Sequence, residues 1–135
     1  YAPVIVTMPV GGLTITGAYA SSDDNGTVNN ESAISAAYAA AGGTLTLGYT
    51  STDGDTASSN GTGAGVKYAM DLDGTSITVG YQSYDTNATS SITDIIVSRS
   101  LGGGASVFAE MRSVSGTTSG GSDNNSMAIG TSVSF

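Results

Sequence analysis

Residues 63–81 read Gly63-Ala64-Gly65-Val66-Lys67-Tyr68-Ala69-Met70-Asp71-Leu72-Asp73-Gly74-Thr75-Ser76-Ile77-Thr78-Val79-Gly80-Tyr81. Ala64, Val66, Tyr68 and Met70 alternate with small or polar residues. After Asp73-Gly74 the alternation resumes as Ile77, Val79 and Tyr81. A period of two is the mark of a β-strand with one oily face and one polar face. Asp-Gly between two such runs is a strong signal for a two-residue hairpin. The stretch therefore predicts two antiparallel strands, Gly63–Met70 and Ser76–Tyr84, joined by a tight turn.

The same unit recurs along the chain. Glycine turns stand at Gly11-Gly12, Gly42-Gly43, Asp73-Gly74 and Gly102-Gly103-Gly104, with intervals of 31, 31 and 30 residues between Gly12, Gly43, Gly74 and Gly104. Each turn is followed by an alternating run, a polar loop, and a second alternating run. Besides the first pair, the predicted strands are Leu13–Ala20, Ser32–Ala40, Thr44–Thr50, Ile92–Ser100, Ala105–Ser113 and Ser126–Phe135. The loops are Ser21–Glu31, Ser51–Thr62, Asp85–Ser90 and Val114–Asn125. Tight turns at one end and long polar loops at the other describe an antiparallel, up-and-down transmembrane β-barrel. Residues 13–135 give eight strands. Tyr1–Val10 reads as a ninth, flanked by Pro3 and Pro9, which suit a strand end or an edge. Single-chain bacterial barrels have even strand numbers, so nine strands imply one segment of a larger barrel.

Composition agrees with this reading and excludes others. Only 10% of the 135 residues are charged, against about 25% in ordinary soluble domains. There is no cysteine and no histidine, so disulfides, thiol chemistry and imidazole acid–base chemistry are excluded within the chain. The net charge of -8 lacks the basic footprint of a nucleic-acid binder. No run of 18 apolar residues predicts a membrane helix. The chain opens on Tyr1 rather than methionine, and the expectation is a processed product or a fragment.

The tyrosines sort by position. Tyr19, Tyr49 and Tyr81 come late on strands that leave a tight turn; Tyr38 and Tyr68 come shortly before one. With Phe135, they predict two aromatic belts, one at each membrane interface. The opposite face is expected to line a lumen: Thr14, Thr16, Thr46, Lys67, Thr78, Gln82, Asp94, Glu110 and Arg112. The four charges among these would set a transverse field and a weak ion preference. Alternatively, Glu110 and Arg112, two apart on one face, pair and brace the wall. Arg99 falls on the oily face by period. Near a turn it can reach headgroups at a cost of about 0–1 kcal/mol; the alternative is a bulge that turns it inward.

Asp23, Asp24, Asp53 and Asp55 are weak calcium candidates, or bridges to lipopolysaccharide through divalent ions. A diffuse acidic rim is the simpler expectation, and no EF-hand pattern is present. No cofactor is expected. Asp71 and Asp73 sit in a turn without a pocket, so no enzyme activity is expected.

The segment Leu101-Gly102-Gly103-Gly104-Ala105-Ser106-Val107-Phe108-Ala109-Glu110, with the ending Met127-Ala128-Ile129-Gly130-Thr131-Ser132-Val133-Ser134-Phe135, resembles the carboxyl end of alphaproteobacterial general porins of the Rhodobacter type. The resemblance implies the carboxyl-terminal half of a sixteen-stranded, trimeric, water-filled barrel in the outer membrane of a Gram-negative bacterium. It implies a lipid bilayer around the barrel and passive diffusion of small hydrophilic solutes through it. Two other readings stand beside it. One is a complete eight-stranded barrel acting as anchor or adhesin, whose lumen side chains would fill. The other is a soluble β-solenoid, against which the tyrosine belts and Phe135 argue.

Overall fold

A computed structural model describes residues 3–24, 27–54, 60–86, 88–116 and 123–134. It forms one antiparallel sheet of nine strands in the order of the chain. The strands are β1 (Val4–Val10), β2 (Leu13–Asp24), β3 (Thr27–Ala40), β4 (Gly43–Gly54), β5 (Gly61–Leu72), β6 (Thr75–Thr86), β7 (Ala88–Gly102), β8 (Ala105–Ser115) and β9 (Asn124–Val133). Every neighbouring pair is antiparallel. The ninth strand is real: β1 pairs with β2 from Val4↔Tyr19 to Val10↔Leu13. Pro9 lies in this edge strand, where a missing N–H is tolerated. Among the described residues, β1 and β9 each have a neighbour on one side only, so eight strands do not close on themselves.

All four expected loops are shorter than the sequence pattern indicated, the last because β8 runs to Ser115 and β9 starts at Asn124. β2 runs to Asp24, β4 to Gly54 and β6 to Thr86, while β3 starts at Thr27, β5 at Gly61 and β7 at Ala88. Alternation reports only where one face is oily. The hydrogen-bond ladder continues above that level, where both faces are polar. The tight turns are also better defined. Consecutive positive φ angles occur at Gly11-Gly12 (56°, 87°), Ala41-Gly42 (47°, 80°), Asp73-Gly74 (52°, 73°) and Gly103-Gly104 (61°, 79°), the last preceded by Gly102 at 82°, where the β7–β8 register shifts. Two positive φ values are the mark of a type I′ hairpin turn, whose twist suits paired strands. The second turn is thus Ala41-Gly42, and Gly43 is the first residue of β4 rather than part of the turn.

The register shows how the strands tilt. Leu13, Tyr38, Leu45, Tyr68, Val79, Ile95 and Met111 are linked by successive pairings into one row. Leu13 begins its strand, Leu45 lies two residues past Gly43, Val79 four past Thr75, and Met111 six past Ala105. Each hairpin is therefore shifted by two residues relative to the one before it. Two residues are about 6.8 Å along a strand and two strand spacings are about 9.6 Å, giving a tilt near ~35°. That lies in the range of transmembrane barrels. At this tilt a 12-residue strand stands about 33 Å tall, enough to span an apolar band of about 25 Å. No helix among the described residues is long and apolar enough to cross a membrane.

The sheet has no conventional core. Ala20 is the only buried apolar residue among those described. Most large apolar side chains are exposed instead, and nearly all share one face. Pairing carries that face across the sheet through Val6, Ile34, Leu47, Val66, Val79, Ile95, Met111 and Met127. Such a surface is stable only against an apolar surrounding.

Candidate functional site: the polar face of the sheet

Residues directly opposite each other in a ladder project to the same side. Threonine, serine, glycine and alanine dominate the side opposite the oily one. By this rule Thr14, Thr16, Thr46, Lys67, Thr78, Gln82, Asp94, Glu110 and Arg112 all fall on the polar face. The structure also orders them. Thr14↔Ala37, Ala37↔Thr46, Thr46↔Lys67, Lys67↔Gly80, Gly80↔Asp94 and Asp94↔Arg112 form one continuous row across seven strands. Three of the four charges thus share a line perpendicular to the strands. Glu110 lies one step nearer the tight-turn end, opposite Ile96.

The charges are not paired as the chain order suggests. Arg112 Nε lies 3.6 Å from Asp94 Oδ1 on the neighbouring strand. Asp94 Oδ1 is screened from solvent and accepts no hydrogen bond, so the guanidinium is what offsets its charge. The Glu110–Arg112 brace expected as one alternative is replaced by this cross-strand pair. Directly opposed side chains on adjacent strands are closer than residues two apart along one strand.

The polar face is concave at β2–β7 and holds a hollow of about 420 Å3. Lys67, Gln82, Tyr84 and Asp94 stand around it, and Gly48, Gly63, Gly65 and Gly80 provide much of its floor. Tyr84 was not among the expected lining residues, nor was Phe108, which lies opposite Gly130 on the same face. A Cβ at Gly63 would come within 3.2 Å of Tyr84 Cδ1, and one at Gly130 within 2.6 Å of Phe108 Cζ. Each ring rests on a glycine across the ladder. Strict parity would have found both, since Tyr84 follows Gln82 by two and Phe108 precedes Glu110 by two.

Arg99 remains on the oily face. The β7–β8 register is continuous from Ser91 to Ser100, and the irregularity lies beyond, at Ser100/Gly102. Its Nη1 donates to Thr75 Oγ1 at 3.1 Å, next to the Asp73-Gly74 turn. Of the tyrosines, Tyr68 donates to the carbonyls of Ala41 at 2.9 Å and Ala40 at 3.1 Å, closing on the neighbouring hairpin turn. Tyr19 donates to Asn30 Oδ1 at 3.1 Å, toward the long-loop end. Tyr49 and Tyr81 are exposed on the oily face, as is Tyr38.

Phe135, Asp55 and the side chains of Asp23 and Asp24 lie outside the described residues. Asp53 is exposed on β4. Among the described residues, no group of three or more acids could hold a metal ion.

The chain matches the Gram-negative porin family over residues 4–133. No curated protein matches it. Solved structures do. A loop L8 deletion mutant of OmpT, an outer membrane protein of Vibrio cholerae, superposes with a TM-score of 0.75 at 17% identity, over 96% of this chain and 51% of that one. A porin refined at 1.8 Å gives 0.75 at 13% identity, over 96% and 50%. OccD3 (OpdP) of Pseudomonas aeruginosa gives 0.75 at 15% identity, over 96% and 48%. At these identities the likeness is one of fold. The chain spans about half the length of each of these structures.

Proposed function

The chain belongs to the Gram-negative porin family of the bacterial outer membrane, and on that premise we propose that it forms part of the wall of a water-filled channel for passive diffusion of small hydrophilic solutes and ions. The observation that carries this reading is the two-sidedness of the sheet. One face is oily from β1 to β9, and the other carries hydroxyls, glycines and a row of mixed charges. A closed barrel made of such a sheet faces lipid outside and water inside. Solutes are selected by size and by the field of Lys67, Asp94, Glu110 and Arg112, without a chemical step and without a cofactor.

The finer parts of the proposal follow from the resemblance: the carboxyl-terminal half of a sixteen-stranded barrel of the Rhodobacter type, assembled as a trimer. Nine strands that among the described residues remain open at both edges, and a chain half as long as the matched structures, support this over a complete eight-stranded anchor. Bilayer lipid would contact the oily face and its tyrosines. Lipopolysaccharide, with calcium at the acidic long loops, would contact the opposite end from the tight turns. The test is liposome swelling with the intact protein. Swelling in small sugars that falls off with solute size supports the channel. No swelling in any solute would refute it. Intact mass from detergent extract tests the half-barrel proposal: a value well above 13.2 kDa supports it and a value at 13.2 kDa overturns it.

A further inference from the structure

One cation and one anion line the same hollow, and a residue without a side chain stands between them. Lys67 on β5 is opposite Gly80 on β6, and Gly80 is opposite Asp94 on β7. Two strand spacings, about 9.6 Å, therefore separate the two charged backbones. A Cβ at Gly80 would meet no heavy atom nearer than Val66 O at 3.9 Å, so no neighbouring side chain fills the gap. Toward the long-loop end the floor stays low, with Gly65 beside Gly48 and the Gln82 stem against Gly65. Beyond it Tyr84 lies over Gly63 and bonds Gln82 Oε1 through its hydroxyl, forming a wall. Arg112 braces Asp94 from the side away from Gly80.

We propose that this hollow is a subsite for small zwitterions of the amino-acid type. The carboxylate of the solute faces Lys67, its ammonium faces Asp94, and its body passes over Gly80. This rests on the channel reading above. The selectivity follows from the arrangement of charge. A monoanion engages Lys67 alone, and a monocation engages only Asp94, whose charge Arg112 already partly offsets. A neutral polyol gains from neither. Only a molecule carrying both charges a few Å apart engages both ends of the gap. The hollow, about 420 Å3, falls within the usual size of small-ligand pockets. Lys67 is exposed, so each contact is weak in water. A weak site raises local concentration and still releases the solute, which is what conduction requires.

The test compares swelling rates of liposomes holding the intact protein in isosmotic glycine or serine with those in glycerol or erythritol. The readout is the ratio of zwitterion rate to neutral rate in the same vesicles. The expected wild-type ratio is about two- to fivefold above that set by molecular size, as one or two exposed ion pairs would give. Lys67→Gln and Asp94→Asn should each return the ratio to the size-only value. Gly80→Thr should do the same by filling the gap, and the open space there accommodates it. Asp85→Asn, which removes an acid outside the hollow, should keep the ratio. A size-only ratio in the wild type overturns the proposal, and so does a raised ratio that survives both charge variants. Swelling in neutral solutes without zwitterion preference refutes the subsite alone. Absence of swelling in every solute refutes the channel and the subsite with it.

Discussion

Val79 and Thr78 are neighbours in β6 and lie on opposite faces of the sheet. An arginine placed at each gives a direct measure of what each face meets. Val79 is 43% exposed on the oily side, between Ile77 and Tyr81. It stands four residues past the start of β6, about 14 Å along the strand and about 11 Å in height at a ~35° tilt. Half of an apolar band of about 25 Å is about 12 Å, so Val79 sits near the midplane. Arginine there costs about 2–4 kcal/mol on the lipid face of a barrel. Val79→Arg should lower the folded-to-unfolded ratio by roughly 30- to 700-fold. Thr78→Arg adds the same group to the polar face, near Asp94 and Glu110, and should cost under about 1 kcal/mol. The assay is folding of the intact protein into lipid vesicles across a denaturant titration, read by the change in gel mobility on heating. Equal costs at the two positions would refute the assignment of faces. A larger cost at Thr78 would invert it.

Arg99→Leu should change stability by less than about 1 kcal/mol, because this arginine lies beside a turn and not at mid-height; a loss of several kcal/mol in the same titration would place it elsewhere. Gly43→Val puts a Cβ within 2.5 Å of Ala69 O and 2.8 Å of the Tyr68 ring, so a loss of about 1–3 kcal/mol is expected, whereas Gly48→Val, with only Ile34 O at 4.0 Å, should be much milder. Tyr68→Phe removes the hydrogen bonds to the Ala40 and Ala41 carbonyls and should cost about 1 kcal/mol, measured by the same titration. Arg112→Gln leaves Asp94 without its guanidinium and should raise the cation-to-anion permeability ratio by about 1.5- to fivefold, read as a reversal potential in a salt gradient; an unchanged potential would show that this wall does not face the ion path.

The chain by itself determined the strands, the hairpins and the two faces. These depend on local facts: side chains alternate with a period of two, and Asp-Gly or Gly-Gly supplies the positive φ that a tight hairpin needs. Even the ninth strand, between Pro3 and Pro9, could be read this way. Strand ends were less legible, because β2, β4 and β6 continue where the oily face has stopped and only backbone pairing holds them. The site was legible as a set of residues and not as an arrangement. That Lys67, Gly80, Asp94 and Arg112 form one row depends on a two-residue shift at every hairpin, and a shift of that kind leaves no trace in the pattern of a single strand. It is fixed by the register between strands, where a slip of one residue would exchange lipid and water on every side chain. The tertiary structure alone therefore decided which charge meets which, and that a glycine keeps the space between them open.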